Sequence, residues 1–182
     1  AMLYAGLHAF GFSRKQCREV IKALASVGAQ IQSSSHILTI DRTHIYIDPI
    51  SKAKSIIAFD YKDVQQLSFG QYEFTFKVCT QAAHLKEKNF AYFPIHKLNS
   101  TLTLRHWQDG DSFKPYGLDA HSQTLKKYFT DQKIDLRSKQ DIPLLLNGHD
   151  IIWVVHYRTH HDYAINPDEG PFLEVHCEKV NG

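Results

Sequence analysis

Twelve histidines are the first residues in this 182-residue chain whose chemistry asks to be tested. The densest group is His156, His160, His161 and Asp162, with His176 further along. Imidazoles and a carboxylate that converge on one point hold zinc or iron. Here His160 and His161 are adjacent, which sends them to opposite faces of an extended segment, and no His-x-x-x-His pair falls on a helical pattern, so no metal site is expected. His106 beside Asp109 and Asp111 has the parts of an acid–base pair, but aspartates flanking Gly110 more commonly bond their own backbone in a turn. A Gly-x-Ser-x-Gly elbow is absent. Cys17, Cys79 and Cys177 are far apart, form no Cys-x-x-Cys pair and fall in apolar patterns, so neither a disulfide framework, a thiolate metal site nor a cysteine nucleophile is expected. The nine glycines are scattered singly, which leaves no glycine-rich loop for a nucleotide phosphate. No residue of the chain is expected to be catalytic.

Positively charged side chains are the better candidates, as ligands for phosphate. Arg105, Lys114, Lys126, Lys127, Lys133 and Arg158 form one set, and Arg14, Arg18 and Lys22, spaced by four with Lys15 beside them, form a ridge on a second element. For any single one, solvation or a surface ion pair is the plainer fate. As a group they suit an RNA backbone, since double-stranded RNA is read largely by shape and by phosphate and 2′-hydroxyl contacts.

These cations need elements to display them. Leu102 and Leu104 alternate with Thr103 and Arg105, which predicts a strand with Arg105 on the face away from the leucines. Asp109-Gly110-Asp111 supplies a turn, Pro115 and Gly117 a bend, and Ser122 a cap for a helix whose Leu125, Tyr128 and Phe129 recur at helical spacing. Lys126 and Lys127 lie off that stripe, and Lys133 follows Lys126 by seven residues, near the same face.

Upstream, Leu3, Leu7 and Phe10 predict a short helix stopped by Gly11. Ser13 and Gln16 make a capping box for a second helix with Cys17, Val20, Ile21, Leu24 and Ala25 on its apolar stripe. The period then changes to two. Leu38 and Ile40 with Ile45 and Ile47 predict a hairpin around Asp41-Arg42, Ile56 to Phe59 a short strand, Tyr72 to Val78 a half-buried strand, and Asn89 to Ile95 one more. Asn147-Gly148 between two apolar runs predicts a type I′ hairpin with Trp153 in the core, and Leu173, Val175 and Cys177 mark a last strand. The expected fold class is α+β: two small domains, each a short antiparallel or mixed sheet packed with one or two helices, divided at 98/99 where small polar residues follow Lys97.

Composition sets the bounds. A hydrophobic fraction of 43% supports a real core, and no apolar run approaches the roughly 18 residues of a membrane span. Thiols without a pairing pattern suit a reducing cytoplasm. The net charge of +2 conceals an asymmetry, about +5 over residues 1–100 and about −3 over residues 101–182. Any phosphate contact in the second half must come from a local cluster, because screening removes distant charge within about 8–10 Å.

The stretch from Leu102 to Ile134 resembles the C-terminal domain of bacterial tRNA(Ile)-lysidine synthetases. Leu102 and Arg105 match its strand, Gly110 and Asp111 its turn, Phe113, Pro115 and Gly117 its bend, and Leu125, Lys126, Phe129, Asp131 and Lys133 its lysine-rich helix. The likeness continues through Ile142 to Leu145, the strand Ile151 to Val154 and Arg158. The resemblance implies that this chain is the tRNA-binding part of an ATP-dependent ligase, itself inactive and holding no cofactor. In the full-length enzyme ATP, with magnesium, would activate the wobble cytidine of an isoleucine tRNA with a CAU anticodon, and lysine would displace AMP. That chemistry belongs to an N-terminal domain with a Ser-Gly-Gly-x-Asp-Ser loop, which is not found in these 182 residues. The Ala1-Met2 start reads as a remnant ahead of a truncated chain. The competing expectation is a protein-interaction or homodimerisation module with no RNA contact.

Overall fold

The computed structural model describes residues 2–50, 55–118 and 121–180. Ala1, and with it the Ala1-Met2 start, lies outside the described residues, as does the side chain of Leu3. The chain divides into two compact units, residues 1–54 with 134–140, and residues 55–133 with 141–182. Every strand pairing among the described residues is antiparallel. No helix among them is long and apolar enough to cross a membrane.

Unit 1 holds α1 (Met2–His8), α2 (Arg14–Ala23), and a sheet of β1 (Gln30–Gln32), β2 (His36–Ile40) and β3 (Ile45–Pro49) in that spatial order. The capping box forms: the Ser13 N–H donates to Gln16 Oε1 at 2.9 Å and the Gln16 N–H to Ser13 Oγ at 3.3 Å. Two otherwise orphaned backbone groups are satisfied in this way. Leu7, Phe12, Cys17, Val20, Leu38 and Ile40 make the core. Ile21 and Leu24, expected on the buried stripe, are instead 57% and 51% exposed, because so small a unit covers only the Cys17–Val20 side of α2.

Unit 2 is built on two sheets. Its elements are β4 (Ile56–Asp60), β5 (Gln66–Phe69), β6 (Tyr72–Cys79), β7 (Phe90–Pro94), β8 (Thr101–His106), β9 (Ser112–Phe113), β10 (Gln123–Thr124), α3 (Leu125–Asp131), β11 (Pro143–Asn147), β12 (Asp150–Val154), β13 (Arg158–Thr159) and β14 (Phe172–Lys179). A short helix α4 (Leu136–Asp141) lies mostly within residues counted to unit 1. One sheet runs β13-β12-β11-β8-β4, the other β5-β6-β14-β7, and β9 pairs with β10 in a short ribbon. Each large sheet turns one face into a common core, with Leu102, Leu104, Leu145 and Trp153 from the first and Phe74, Phe93, Leu173 and Val175 from the second. In β6 the buried rings alternate with exposed Glu73, Thr75 and Lys77, which is the period-two signal of the sequence.

The α+β class holds, but the expected boundary at 98/99 does not. β4 lies before it and pairs with β8 after it, Ile57 opposite Leu104, and β14 is inserted between β6 and β7. Alternation tells which face a strand buries, not which strand it will pair with, so residues 56–94 read as neighbours of unit 1 although their partners lie downstream. The hairpin at Asn147-Gly148 is also shifted by one residue. Asn147 pairs with Asp150, so Gly148 and His149 are the loop, and positive φ at Gly148 alone of the two is the type II′ pattern. Asn147 remains a strand residue whose side chain accepts from the Asn99 N–H at 2.8 Å and donates to Lys97 O and Tyr163 Oη, both at 3.0 Å. On β12 the register skips Ile152, a bulge that turns both Ile152 and Trp153 into the core.

α3 is seated through the turn that follows β8. Arg105, opposite Leu144 and Ile56, donates through Nη1 to Asp111 Oδ2 at 2.7 Å and through Nη2 to Oδ1 at 2.8 Å. Asp111 also accepts the Gln108 N–H at 2.7 Å, and its carbonyl accepts the Leu125 N–H at 2.8 Å. One residue thus closes the turn, holds the strand's arginine and seats the first residue of α3. Thr124, not Ser122, caps the helix, its hydroxyl accepting the Lys127 N–H at 3.3 Å. Phe129 meets Trp107 edge-on with ring centres 5.8 Å apart, and Tyr128 meets Phe113 at 5.2 Å.

Arg105 and Asp111 side chains are each only 14% exposed, so removing either strands the other charge. Arg105→Met is expected to lower stability in urea by about 2–4 kcal/mol, Asp111→Ala by a similar amount, and the double variant by little more than either; additive losses would show that the two do not act as a pair. A second expectation concerns acid. His160 is 6% exposed, its Nδ1 accepts the Asp162 N–H at 3.1 Å, and burial pushes its pKa below the ordinary 6.5. The unfolded chain therefore binds this proton more readily, so stability from neutral His160 is complete above pH 6.5 and is lost as pH falls through the lower folded value. Urea midpoints measured down that window should fall less steeply in His160→Gln than in the wild type.

Candidate nucleic-acid interface

The bend after β9 runs alongside β13. Tyr116 N–H donates to Thr159 O at 2.9 Å, His161 N–H donates to Lys114 O at 2.7 Å, and Pro115 bridges to His160. That pairing sets Lys114 against His161 and the Gly117 bend against Arg158, segments far apart in sequence. Gly117 sits at φ +81°, and a Cβ there would lie 3.9 Å from Arg158 Nη1, so the guanidinium rests against the bend itself. Burial raises the pKa of the Tyr128 hydroxyl, and the Arg158 guanidinium close by lowers it in part.

Asp162 gathers two ammonium groups at the same place. Lys114 Nζ donates to its Oδ2 at 2.9 Å and Lys97 Nζ to its carbonyl at 2.8 Å. The Lys114 contact holds the Asp162 carboxyl below its usual range. The side chains of that pair are 42% and 50% exposed. Solvent weakens an ion pair so placed, and its lysine remains available to a stronger anion. Tyr116, half exposed beside them, adds an aromatic face. Lys97 and Tyr116 were not legible as site residues, because Lys97 reads as linker and Tyr116 as part of a bend.

The remaining cations divide. Lys126 and Lys127 project from α3 into solvent, with Lys127 Nζ 2.6 Å from Asp131 one turn on. Lys133 is exposed but does not continue their face: α3 ends at Asp131, and Lys133 sits beyond it at φ +55°. Arg105 is not displayed at all, being half-buried and committed to Asp111. In unit 1, Arg14, Arg18 and Lys22 are exposed along α2 as the spacing predicts, with the Arg14 guanidinium 5.0 Å from the centre of the Tyr4 ring. Unit 1 holds nine Lys and Arg against four Asp and Glu, whereas unit 2 holds twelve against fifteen. Positive charge is in net excess over unit 1, whereas in unit 2 it is confined to local clusters.

The histidines and cysteines are placed otherwise. His156 Nε2 bonds Cys177 O at 2.9 Å, His106 packs on Phe69 at 4.8 Å, and His176 stacks on Phe90 at 4.2 Å. Among the described residues no group of three or more His, Cys, Asp or Glu is arranged to hold a metal ion. Cys17 and Cys177 are buried, and burial pushes the Cys177 thiol up to about 12, far from a reactive thiolate.

A family model described as the TilS substrate binding domain matches residues 1–50, and one described as the TilS substrate C-terminal domain matches residues 102–175, one within each structural unit apart from residues 134–140. The tRNA(Ile)-lysidine synthase of Parabacteroides distasonis is 31% identical over 172 residues, covering 91% of this chain and 38% of its own length. That of Bacteroides thetaiotaomicron is 28% identical over 170 residues, again 91% of this chain and 37% of the relative. The chain therefore spans under two fifths of the length of these relatives. In fold it is similar to a crystal structure of a TILS C-terminal domain, with a TM-score of 0.59 at 15% identity, covering 70% of this chain and all of the other. With both domain types present in order, the chain belongs to the tRNA(Ile)-lysidine synthase family and carries its substrate-binding and C-terminal domains.

Proposed function

We propose that the chain is the tRNA-holding part of a tRNA(Ile)-lysidine synthetase and performs no chemistry itself. The observation that carries this is the meeting of the Lys114–Gly117 bend with the Arg158–His161 segment, beside the exposed Lys126 and Lys127 of α3, in a unit that is otherwise net acidic. The phosphate ligands are Lys114, Lys126, Lys127, Lys133 and Arg158 in unit 2, and Arg14, Arg18 and Lys22 in unit 1. Arg105 acts through Asp111, as a positioning residue that fixes where α3 begins.

In this proposal the partner is an isoleucine tRNA with a CAU anticodon, and the setting is the cytoplasm. ATP with magnesium and the amino acid lysine act at a catalytic domain outside these 182 residues, where the wobble cytidine is adenylylated and lysine displaces AMP. Holding the tRNA body contributes by orientation, since a fixed geometry converts an encounter into an intramolecular step. It also contributes discrimination, because methionine tRNA shares the anticodon and must be rejected by contacts elsewhere.

A second reading, association with another protein or a second copy, is favoured by one feature: Ile21 near the end of α2, and Leu24 and Val27 just past it, are each more than half exposed. A salt series separates the two. Phosphate contacts make the logarithm of tRNA affinity fall steeply with the logarithm of salt, whereas an apolar dimer responds little. Lys126→Ala with Lys127→Ala is expected to weaken tRNA binding roughly tenfold and to reduce the salt slope by about 1–2, with an unchanged urea midpoint. Wild-type affinity and slope in that variant would remove α3 from the interface.

A further inference from the structure

A pocket of about 300 Å³ lies in unit 2 between β7, the last strand of its sheet, and the pairing of the 114–117 bend with the segment from β13 onward. β7 supplies Phe90, Ala91 and Tyr92, Tyr116 and Thr159 come from the bend and β13, and Leu85 and the segment from Ala164 to Pro167 close the rest. The β7 side is fixed. Phe90 stacks on both His84 and His176, with ring centres 4.3 and 4.2 Å away, and the Tyr92 hydroxyl accepts the His84 N–H at 3.2 Å while donating to Glu174 Oε2 at 2.7 Å. Tyr116 differs: its ring is 50% exposed, yet its backbone N–H is tied to the Thr159 carbonyl at 2.9 Å. An accessible aromatic ring is thus carried at the pocket on an anchored backbone.

No charged side chain lines this pocket, so the group that enters it is neutral. Glu174 is engaged by Tyr92 and Glu87 by His84 Nδ1 at 2.7 Å, while Asp168 and Glu169 lie past Pro167 and line none of it. Its open polar groups are the Thr159 and Tyr116 hydroxyls, neither of them hydrogen-bonded among the described residues nor sealed from solvent. A flat neutral group with hydrogen-bonding edges satisfies both features, and an unstacked nucleobase is such a group: its π-face stacks on an aromatic ring and its edge reaches a hydroxyl. The volume stands at the lower end for ligand pockets and suits one ring system rather than a strand or a helix. A base brings a phosphate with it, and the pairing that walls the pocket carries Lys114 two residues before Tyr116 and Arg158 one residue before Thr159. An aliphatic side chain from a protein partner would fill the space but would leave both hydroxyls without a partner and make no use of those cations.

We infer that this pocket receives one unstacked nucleobase of the bound tRNA, with Tyr116 as the stacking residue and the Thr159 hydroxyl at the edge of the base. The inference rests on the tRNA reading given above and adds a contact of another kind, to a base instead of a phosphate. Stacking on tyrosine releases no counterion. Its loss therefore lowers affinity at constant salt dependence, whereas loss of a lysine contact changes both.

The test takes the 182-residue chain as wild type, Tyr116→Ala, Tyr116→Phe, and Lys126→Ala with Lys127→Ala. Each is titrated across a salt series with isoleucine tRNA and with a short single-stranded RNA containing 2-aminopurine, a base whose fluorescence is quenched when it stacks. The Tyr116 ring is half exposed, so its removal is expected to leave the urea midpoint unchanged. Tyr116→Ala should weaken tRNA binding about five- to 150-fold at a wild-type log–log salt slope and abolish the quenching, while Tyr116→Phe keeps both. Wild-type affinity and quenching in Tyr116→Ala overturn the pocket, and a shallower slope in the Lys126/Lys127 variant then leaves the tRNA reading standing. A weaker affinity with a shallower slope in Tyr116→Ala also overturns stacking, since it reports a displaced phosphate ligand. Absence of salt-dependent tRNA binding in the wild type overturns both readings. Binding of a leucine-rich peptide that is lost in Tyr116→Ala, with no quenching of the RNA by the wild type, overturns a nucleobase as the occupant.

Discussion

The fork between Arg105 and Asp111 is the contact on which the arrangement of the C-terminal unit turns. Two parallel N–H to carboxylate bonds fix angle as well as distance, and both groups are largely withdrawn from solvent. Through that one aspartate the strand β8, the turn at Gln108 and the first residue of α3 are held in a single geometry. The aromatic contacts of Trp107 with Phe129 and of Phe113 with Tyr128 fasten the helix that this aspartate seats. An arginine that looks like a phosphate ligand on paper serves instead to place the residues that are free to act as one.

Charge is used in unit 2 in two distinct ways. Where a cation is shielded, its partner is fixed and the pair is architectural, as at Arg105. Where both members are in water, as for Lys127 with Asp131 or Lys114 with Asp162, the pair yields to a stronger anion. Exposed pairs of that kind contribute at most about 1 kcal/mol. The net acidity of the unit therefore does not contradict an RNA-facing role. Screening confines each carboxylate to its own neighbourhood, so what an incoming phosphate meets is the local set of side chains.

The sandwich beneath supplies rigidity for that surface. β14 lies between β6 and β7 and joins strands that would otherwise share no hydrogen bonds, and β4 closes the opposite sheet beside β8. The bend carrying Lys114 and the strand carrying Arg158 are both anchored to this frame, the second through its pairing with Trp153 and Val154. Displacement of Trp153 would be felt at the cationic patch as well as in the core.

Much of this was decided locally and was legible in the chain. The capping box at Ser13 and Gln16, the hairpin of β2 and β3, the alternation along β6 and β8 and the apolar stripe of α3 all follow from interactions among residues near one another in sequence, and the order of motifs after Leu102 carried the family. Other features were decided only when distant segments met. The division of the chain after residue 54, the burial of Arg105 against Asp111, the exposure of Ile21 and Leu24, and the meeting of the Lys114–Gly117 bend with the Arg158–His161 segment depend on which strands pair and which faces are covered. A side-chain period reports the direction of a residue relative to its own backbone; the partner it finds there is set by the packing of the whole unit.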